Sequence, residues 1–345
     1  VAGMVFAKPM LEWMDTPEDV LSHAVLYMRI YFIGMPAMLV YNFGAAILRA
    51  IGDTRRPLYY LLSAGVINVI LNLFFVIVLD MGVAGVATAT VISQVVSAIL
   101  IVRCLMHSDG IYRLDLHALK IHKTKMVHIA KIGLPAGVQG AVFSLSNVLI
   151  QSSVNSFGSI AMAGNTAAGN IEGFVYTSMN AVYQTALSFT SQNVGGRRQD
   201  RIPKIVFQCL AIVTVVGAVL GNLAYQCGPF LLNIYSSDPE VIQYGMSRMQ
   251  IICQWYFLCG IMDVAVGILR GMGYSVMPML VSLAGACGLR VLWIFTVFVW
   301  KHSLFVLYLS YPITWTITLA VHFICFFVIW KRKKGAWAMV KVTEK

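Results

Sequence analysis

Residues 57 to 79 read PLYYLLSAGVINVILNLFFVIVL, 23 positions without an acid, a lysine, an arginine or a histidine. About 20 apolar residues carry a helix across about 30 Å of hydrocarbon, and a helix apolar all round has no face to offer water. LAIVTVVGAVLGNLAYQCGPFLLNIY, residues 210 to 235, makes the same demand. Of the 345 residues 59% are hydrophobic and 11% charged, against about 45–50% apolar and 25% charged in soluble domains. The chain therefore reads as an all-α polytopic membrane protein. No succession of alternating polar and apolar strands supports a β-barrel.

Nine complete spans are expected, at 24 to 48, 57 to 79, 83 to 106, 131 to 157, 160 to 192, 204 to 234, 241 to 269, 278 to 300 and 304 to 330. Ahead of them VAGMVFAKPMLEWM reads as half of a further span, so a missing start is expected. Lys and Arg collect at 55 to 56, in the link carrying Arg113, Lys120, Lys123, Lys125 and Lys131, in GGRRQDRIPK (195 to 204) and in KRKK (331 to 334). Those loops alternate along the chain, and basic loops face the cytoplasm. The acidic loops MDTPEDV, LDMG and YSSDPEV are then outside, with Lys301 the exception. This places the C-terminus inside and the chain in the plasma (inner) membrane. The net charge of +11 is accounted for by that topology and by anionic lipid, without nucleic acid.

Seven scattered cysteines without a CxxC pair argue against a disulfide framework and against zinc. The histidine-bearing link MHSDGIYRLDLHALKIHKTKMVH (106 to 128) lacks an acid or cysteine at ligand spacing, so no metal or other cofactor is expected. No phosphate-binding loop, GxSxG or HExxH occurs, so the chain does not read as an enzyme.

An internal repeat is visible. ILRAIGDTRRP (47 to 57) and ILRGMGYSVMP (268 to 278) share five of eleven residues at an offset of 221, including Arg49, Gly52 and Pro57 in one copy and Arg270, Gly273 and Pro278 in the other. Both motifs end on the basic side, which makes the repeat parallel. Counting back from each motif predicts twelve spans in all, with about two and a half ahead of Val1. The chain divides into the remainder of a first lobe (1 to 106), a basic cytoplasmic linker (107 to 130), a six-helix second lobe (131 to 331) and a tail (332 to 345).

The repeated LRxxG…P element, together with GVAGVATATVISQ (82 to 94), GLPAGVQ (133 to 139) and SFTSQNVGG (188 to 196), resembles the multidrug and toxic compound extrusion transporters. The resemblance covers essentially the whole chain. It implies a V-shaped pair of lobes, open alternately to either side, that exports organic and often cationic compounds in exchange for protons or sodium ions. It also implies an important acid on the family's first helix, absent here, and in sodium-dependent members a Glu on the span matching 131 to 157, which has no acid.

Polar stripes mark the expected path, since a helix facing only lipid is apolar all round. In span 160 to 192 the stripe is Asn165, Glu172, Tyr176, Asn180 and Tyr183, steps of seven, four, four and three. Glu172 is the only charged residue between Lys131 and Arg197. Span 131 to 157 offers Gln139, then Asn147, Gln151 and Asn155 at steps of four. Asp263 and Tyr256 share a face of span 241 to 269, and Asn42 holds the register of Asp263 in the first repeat. Asn68, one turn before Asn72, either lines the vestibule or packs. Packing by interhelical hydrogen bonds is the alternative for every amide. Arg49 and Arg270 read as anchors at the inner surface, and Arg290 as paired with an acid or with backbone carbonyls. A salt bridge to Arg270 or Arg290 is the alternative to a coupling role for Asp263.

Glu172 and Asp263 are accordingly the expected ion-coupling acids, in a water-filled lobe where a carboxylate can titrate. A small cationic organic solute, the lipid bilayer and a monomeric state complete the expectation. The 345 residues alone are expected not to transport. A lipid-linked oligosaccharide flippase is the nearest rival, disfavoured because acids rather than arginines line the stripes, and a non-transporting membrane scaffold is the second.

Overall fold

The computed structural model describes residues 2–13, 18–110 and 112–343, with side chains given for 3–12, 20–110 and 112–332. The acidic loop at 14 to 20 lies largely outside these residues, as do the side chains of Lys333 and Lys334. No strand occurs among the described residues. The chain forms two compact units, Val1–Ile121 and His122–Lys345.

The first unit holds α1 (Ala2–Trp13), α2 (Glu18–Ala50), α3 (Arg55–Leu73), which runs into a π turn at Phe74–Val78, and α4 (Gly82–Met106). Tyr41, Ala45 and Leu48 recur on one face of α2 and bury against Ile101 and Leu105 of α4. Leu58, Leu61, Leu62, Val66, Val69 and Ile70 of α3 are each more than half exposed. In water such a surface would drive association; it is the surface expected of a helix that spans a bilayer.

The second unit holds α5 (Lys123–Asn155), α6 (Ser159–Gly195), α7 (Ile202–Gln226), the short α8 (Gly228–Asn233), α9 (Pro239–Ile252), α10 (Tyr256–Gly271), α11 (Val276–Ser282), α12 (Leu289–Trp293) and α13 (Leu304–Thr343). Helix α6 packs on α7, α9 and α10. π turns at Leu283–Gly288 and Ile294–Phe298 flank α12. Among the described residues seven helices are long and apolar enough to cross a membrane, or eight if the bent pair α9–α10 is one span. Helix α6 is long enough, but its polar stripe keeps it below that apolarity.

Three boundaries differ from the expectation. Helix α5 starts at Lys123 rather than 131, because basic residues at a helix end cost nothing where they reach water. Span 241 to 269 is broken by 49° between Ile252 and Tyr256. Residues expected to form a tail after 331 continue α13 to Thr343.

The repeat is reproduced in backbone geometry. Gly52 and Gly273 have φ of +92° and +91°, a region that favours glycine. Asp53 N donates to Leu48 O at 2.9 Å and Gly52 N to Arg49 O at 3.0 Å; Tyr274 N to Leu269 O and Gly273 N to Arg270 O repeat this at 3.0 and 2.9 Å. Both helices thus end in the same left-handed cap, which satisfies carbonyls that would otherwise lack partners.

Candidate functional site

One part of the site depends on two glycines. A Cβ at Gly164 of α6 would stand 2.5 Å from Val241 O and 2.9 Å from Gly245 N of α9, so the two backbones meet without side chains between them, the usual route to close helix contact in membranes. Arg248, one turn beyond Gly245, consequently reaches α6. Its Nε donates to Glu172 Oε1 at 2.9 Å, Nη2 to Glu172 Oε2 at 2.6 Å and Nη1 to Asn165 Oδ1 at 2.7 Å. Tyr308 Oη of α13 donates to the same Asn165 oxygen at 3.1 Å. Asn165 Nδ2 donates to Gln151 Oε1 at 2.8 Å, and Gln151 Nε2 to Asn155 Oδ1 at 3.0 Å. The network joins α5, α6, α9 and α13.

Glu172 therefore does not stand alone in water as the stripe suggested. It is 4% exposed and held by a two-point guanidinium contact, a geometry stronger than a neutral hydrogen bond. Arg248 was not among the residues expected at the site.

A second part is built by α10 against α6. Cβ atoms at Gly267 and Gly271 would stand 3.0 Å from Tyr183 O and 2.9 Å from Leu187 O. This close contact presents Arg270, whose Nη1 donates to Tyr183 Oη and Nη2 to Gln139 Oε1, both at 2.8 Å. Arg270 was expected as an anchor at the inner surface, reaching water or lipid phosphate; its side chain instead lines the cavity, held by its neutral partners on α5 and α6.

Arg290 also departs from expectation. It is 2% exposed, and among the described residues it has neither an acid nor a backbone carbonyl as partner. Its guanidinium lies 4.1 Å over the Tyr311 ring, and Nη2 approaches Thr314 Oγ1 at 3.4 Å. Asp263, by contrast, is half-buried. Arg270 is within electrostatic reach of it, yet no described hydrogen bond or ion pair joins Asp263 to Arg270, Arg290 or any other side chain.

These groups share a cavity of about 720 Å³ within the second unit. Of the expected residues, Gln139, Asn147, Gln151, Asn165, Glu172, Tyr176, Asn180, Tyr183, Tyr256, Asp263 and Arg270 line it. Asn155 reaches it only through Gln151. In the first unit Asn42 is exposed and bonds to Met38 O at 2.9 Å. Asn68 approaches Thr90 and Ser93 at 3.5 and 3.4 Å and accepts from Asn72 at 3.0 Å, the packing alternative. An aromatic wall was missed: Tyr311 and Trp315 of α13, with Trp315 stacked on Tyr256 at 5.5 Å and edge-on to Tyr311 at 5.5 Å. The steps from Tyr308 to Tyr311 to Trp315, three and four residues, would have marked one helical face.

A family model described as MatE matches residues 1–74 and 135–296. The chain belongs to the MatE family. Members of this family are transporters, not enzymes. Among the relatives of this MatE chain, the "probable multidrug resistance protein YoeA" of Bacillus subtilis (strain 168) is 27% identical over 348 residues, which cover 97% of this chain and 74% of that protein. YpnP of the same strain, also a "probable multidrug resistance protein", is 27% identical over 296 residues, 84% of this chain and 64% of its own length. The "FAD transporter" of Shewanella oneidensis is 25% identical over 252 residues, 70% of this chain and 54% of that one. A solved MATE structure in the bent conformation overlays with a TM-score of 0.87 at 18% identity, covering 98% of this chain and 75% of the other. At that identity the likeness establishes the MatE fold.

Proposed function

We propose that the chain is part of a secondary transporter that exports small organic compounds, cationic ones among them, by exchange for a proton or a sodium ion. The observation that carries this reading is Asp263: an acid in a membrane-embedded cavity, half-buried and without a described ion pair. A carboxylate at the centre of a span costs about 2.5–3.5 kcal/mol on insertion scales, so an unpaired one is a candidate for function. The aromatic faces of Tyr176, Tyr256 and Trp315 beside it suit an organic cation. Glu172, neutralised by Arg248, is assigned instead to holding α6 and α9 together.

Exchange requires that ion and solute exclude one another at equilibrium or favour oppositely facing states. A proton or sodium ion on Asp263 removes the charge that attracts a cation. Support from relatives is of the same kind, since several are named as multidrug resistance or export proteins. The basic loops at 195 to 204 and 331 to 334 favour a plasma-membrane protein with its C-terminus inside. Arg248, Arg270 and Arg290 in the cavity weaken the objection to a flippase that rested on a lack of arginines, but the named relatives favour free organic compounds.

The relatives exceed this chain in length, so the test is of binding, on the chain itself. The purified protein is titrated with rhodamine 123, a fluorescent aromatic cation, while pH and sodium are varied. Saturable binding that acid or sodium weakens is expected; binding indifferent to both contradicts the proposal.

A further inference from the structure

The charges lining the cavity do not balance. Glu172 is matched by Arg248, and Arg270 is within electrostatic reach of Asp263. Arg290 remains, 2% exposed and lining the cavity, with no acid to match it. Its described contacts are the Tyr311 ring at 4.1 Å and Thr314 at 3.4 Å. Nε has no hydrogen-bond partner, and none is described for Nη1. A guanidinium presents a fork of donors that fits a carboxylate or phosphate at two points, and a buried one with donors unused is costly unless something fills them.

The surrounding backbone singles out the same residue. Arg290 sits on α12, a five-residue segment between π turns at Leu283–Gly288 and Ile294–Phe298. π turns are rare and gather at functional sites. Tyr311 lies beneath the guanidinium in cation–π contact, which leaves the in-plane donors of the fork free of the ring.

We infer that Arg290, seated on Tyr311, is a recognition site for an anionic group, a carboxylate or phosphate, on the transported solute. With Asp263 taking a cationic group in the same cavity, the preferred solutes are aromatic compounds that carry charges of both signs. This rests on the cavity being the solute site, and it adds a second point of attachment that ion exchange at Asp263 does not require.

Two dyes that differ at one group test it. Rhodamine 110 carries a free carboxylate, and rhodamine 123 is its methyl ester. On the full chain rhodamine 110 is expected to bind about tenfold tighter or more, the worth of one charge-assisted hydrogen-bonded contact. Benzoate should displace rhodamine 110 and spare rhodamine 123. Arg290→Gln should bring the two affinities together, the larger loss falling on rhodamine 110, and Arg290→Lys should keep part of the difference. Equal affinity for the two dyes in the wild type, or benzoate that competes with neither, overturns the inference without bearing on the exchange reading. Loss of ion competition for rhodamine 123 overturns that reading instead. Should Arg290→Gln not fold, the dye pair and benzoate competition on the wild type decide the matter.

Discussion

Arg248 of α9 holds Glu172 of α6 through two hydrogen bonds, at 2.9 and 2.6 Å, across 76 residues of sequence. The side chains are 12% and 5% exposed. An ion pair so enclosed contributes less net stability than its geometry suggests, because both charges left water, but breaking it leaves one charge buried and unpaired. Its consequence is positional: it ties α6 to α9 at the wall of the cavity.

Glu172→Gln is therefore expected to destabilise the protein by about 3–5 kcal/mol, the cost of an orphaned buried charge. Glu172→Gln combined with Arg248→Met should recover most of that loss. Thermal unfolding in detergent, followed by circular dichroism, measures both. A single variant as stable as the wild type would show that the pair is not closed as described.

Gly164→Ala puts a Cβ 2.5 Å from Val241 O, where backbone must move. Overpacking of this kind costs about 1–3 kcal/mol, and the shift should loosen Arg248 from Glu172. Gly173→Ala on the same helix has nothing within 4 Å and should be neutral or stabilising, by up to about 1 kcal/mol, through helix propensity. Unfolding of the two variants side by side checks the contrast; equal behaviour would contradict the close crossing.

The matching caps make a paired prediction. At Gly52 and Gly273, with φ of +92° and +91° and nothing near the added Cβ, alanine meets only backbone strain. Each substitution should cost about 1–2 kcal/mol, and asparagine less at both. Denaturant midpoints for the four variants test it. A large cost at one glycine and none at the other would mean that the repeats differ in conformation.

Much of the fold was legible because hydropathy is a local property. Residues 57 to 79 announce a span without reference to anything else, and the shared Arg, Gly and Pro of the two motifs announce a repeat, of which the glycine is the residue the left-handed cap needs twice. The break between Ile252 and Tyr256 was not legible: IICQWYF contains neither Pro nor Gly, and both halves pack on α6 and α13, with α10 adding an extensive contact to α7 that the local sequence does not announce. In the site, stripes on α5 and α6 identified most of the lining side chains. Their partners were hidden, since pairing depends on helix contacts that spacing does not encode. Arg248 had a signal: a buried cation in a span must find an anion or a ring, and Glu172 was an acid without one. Arg270 was misplaced for the opposite reason, because a position near a span end permits an outward side chain as readily as the inward one that Gln139 and Tyr183 select.

The central claim is that Asp263, and not Glu172, exchanges ions for solute. The most direct measurement is the affinity of rhodamine 123 against pH and against sodium for the wild type, Asp263→Asn and the paired Glu172→Gln/Arg248→Met variant. Coupling energies between linked sites correspond to about 5- to 150-fold in affinity. A dependence of that size on one ion is predicted for the wild type and the paired variant, and a flat profile for Asp263→Asn. Ion dependence that survives in Asp263→Asn, or that vanishes from a folded paired variant while Asp263 is intact, would contradict the account.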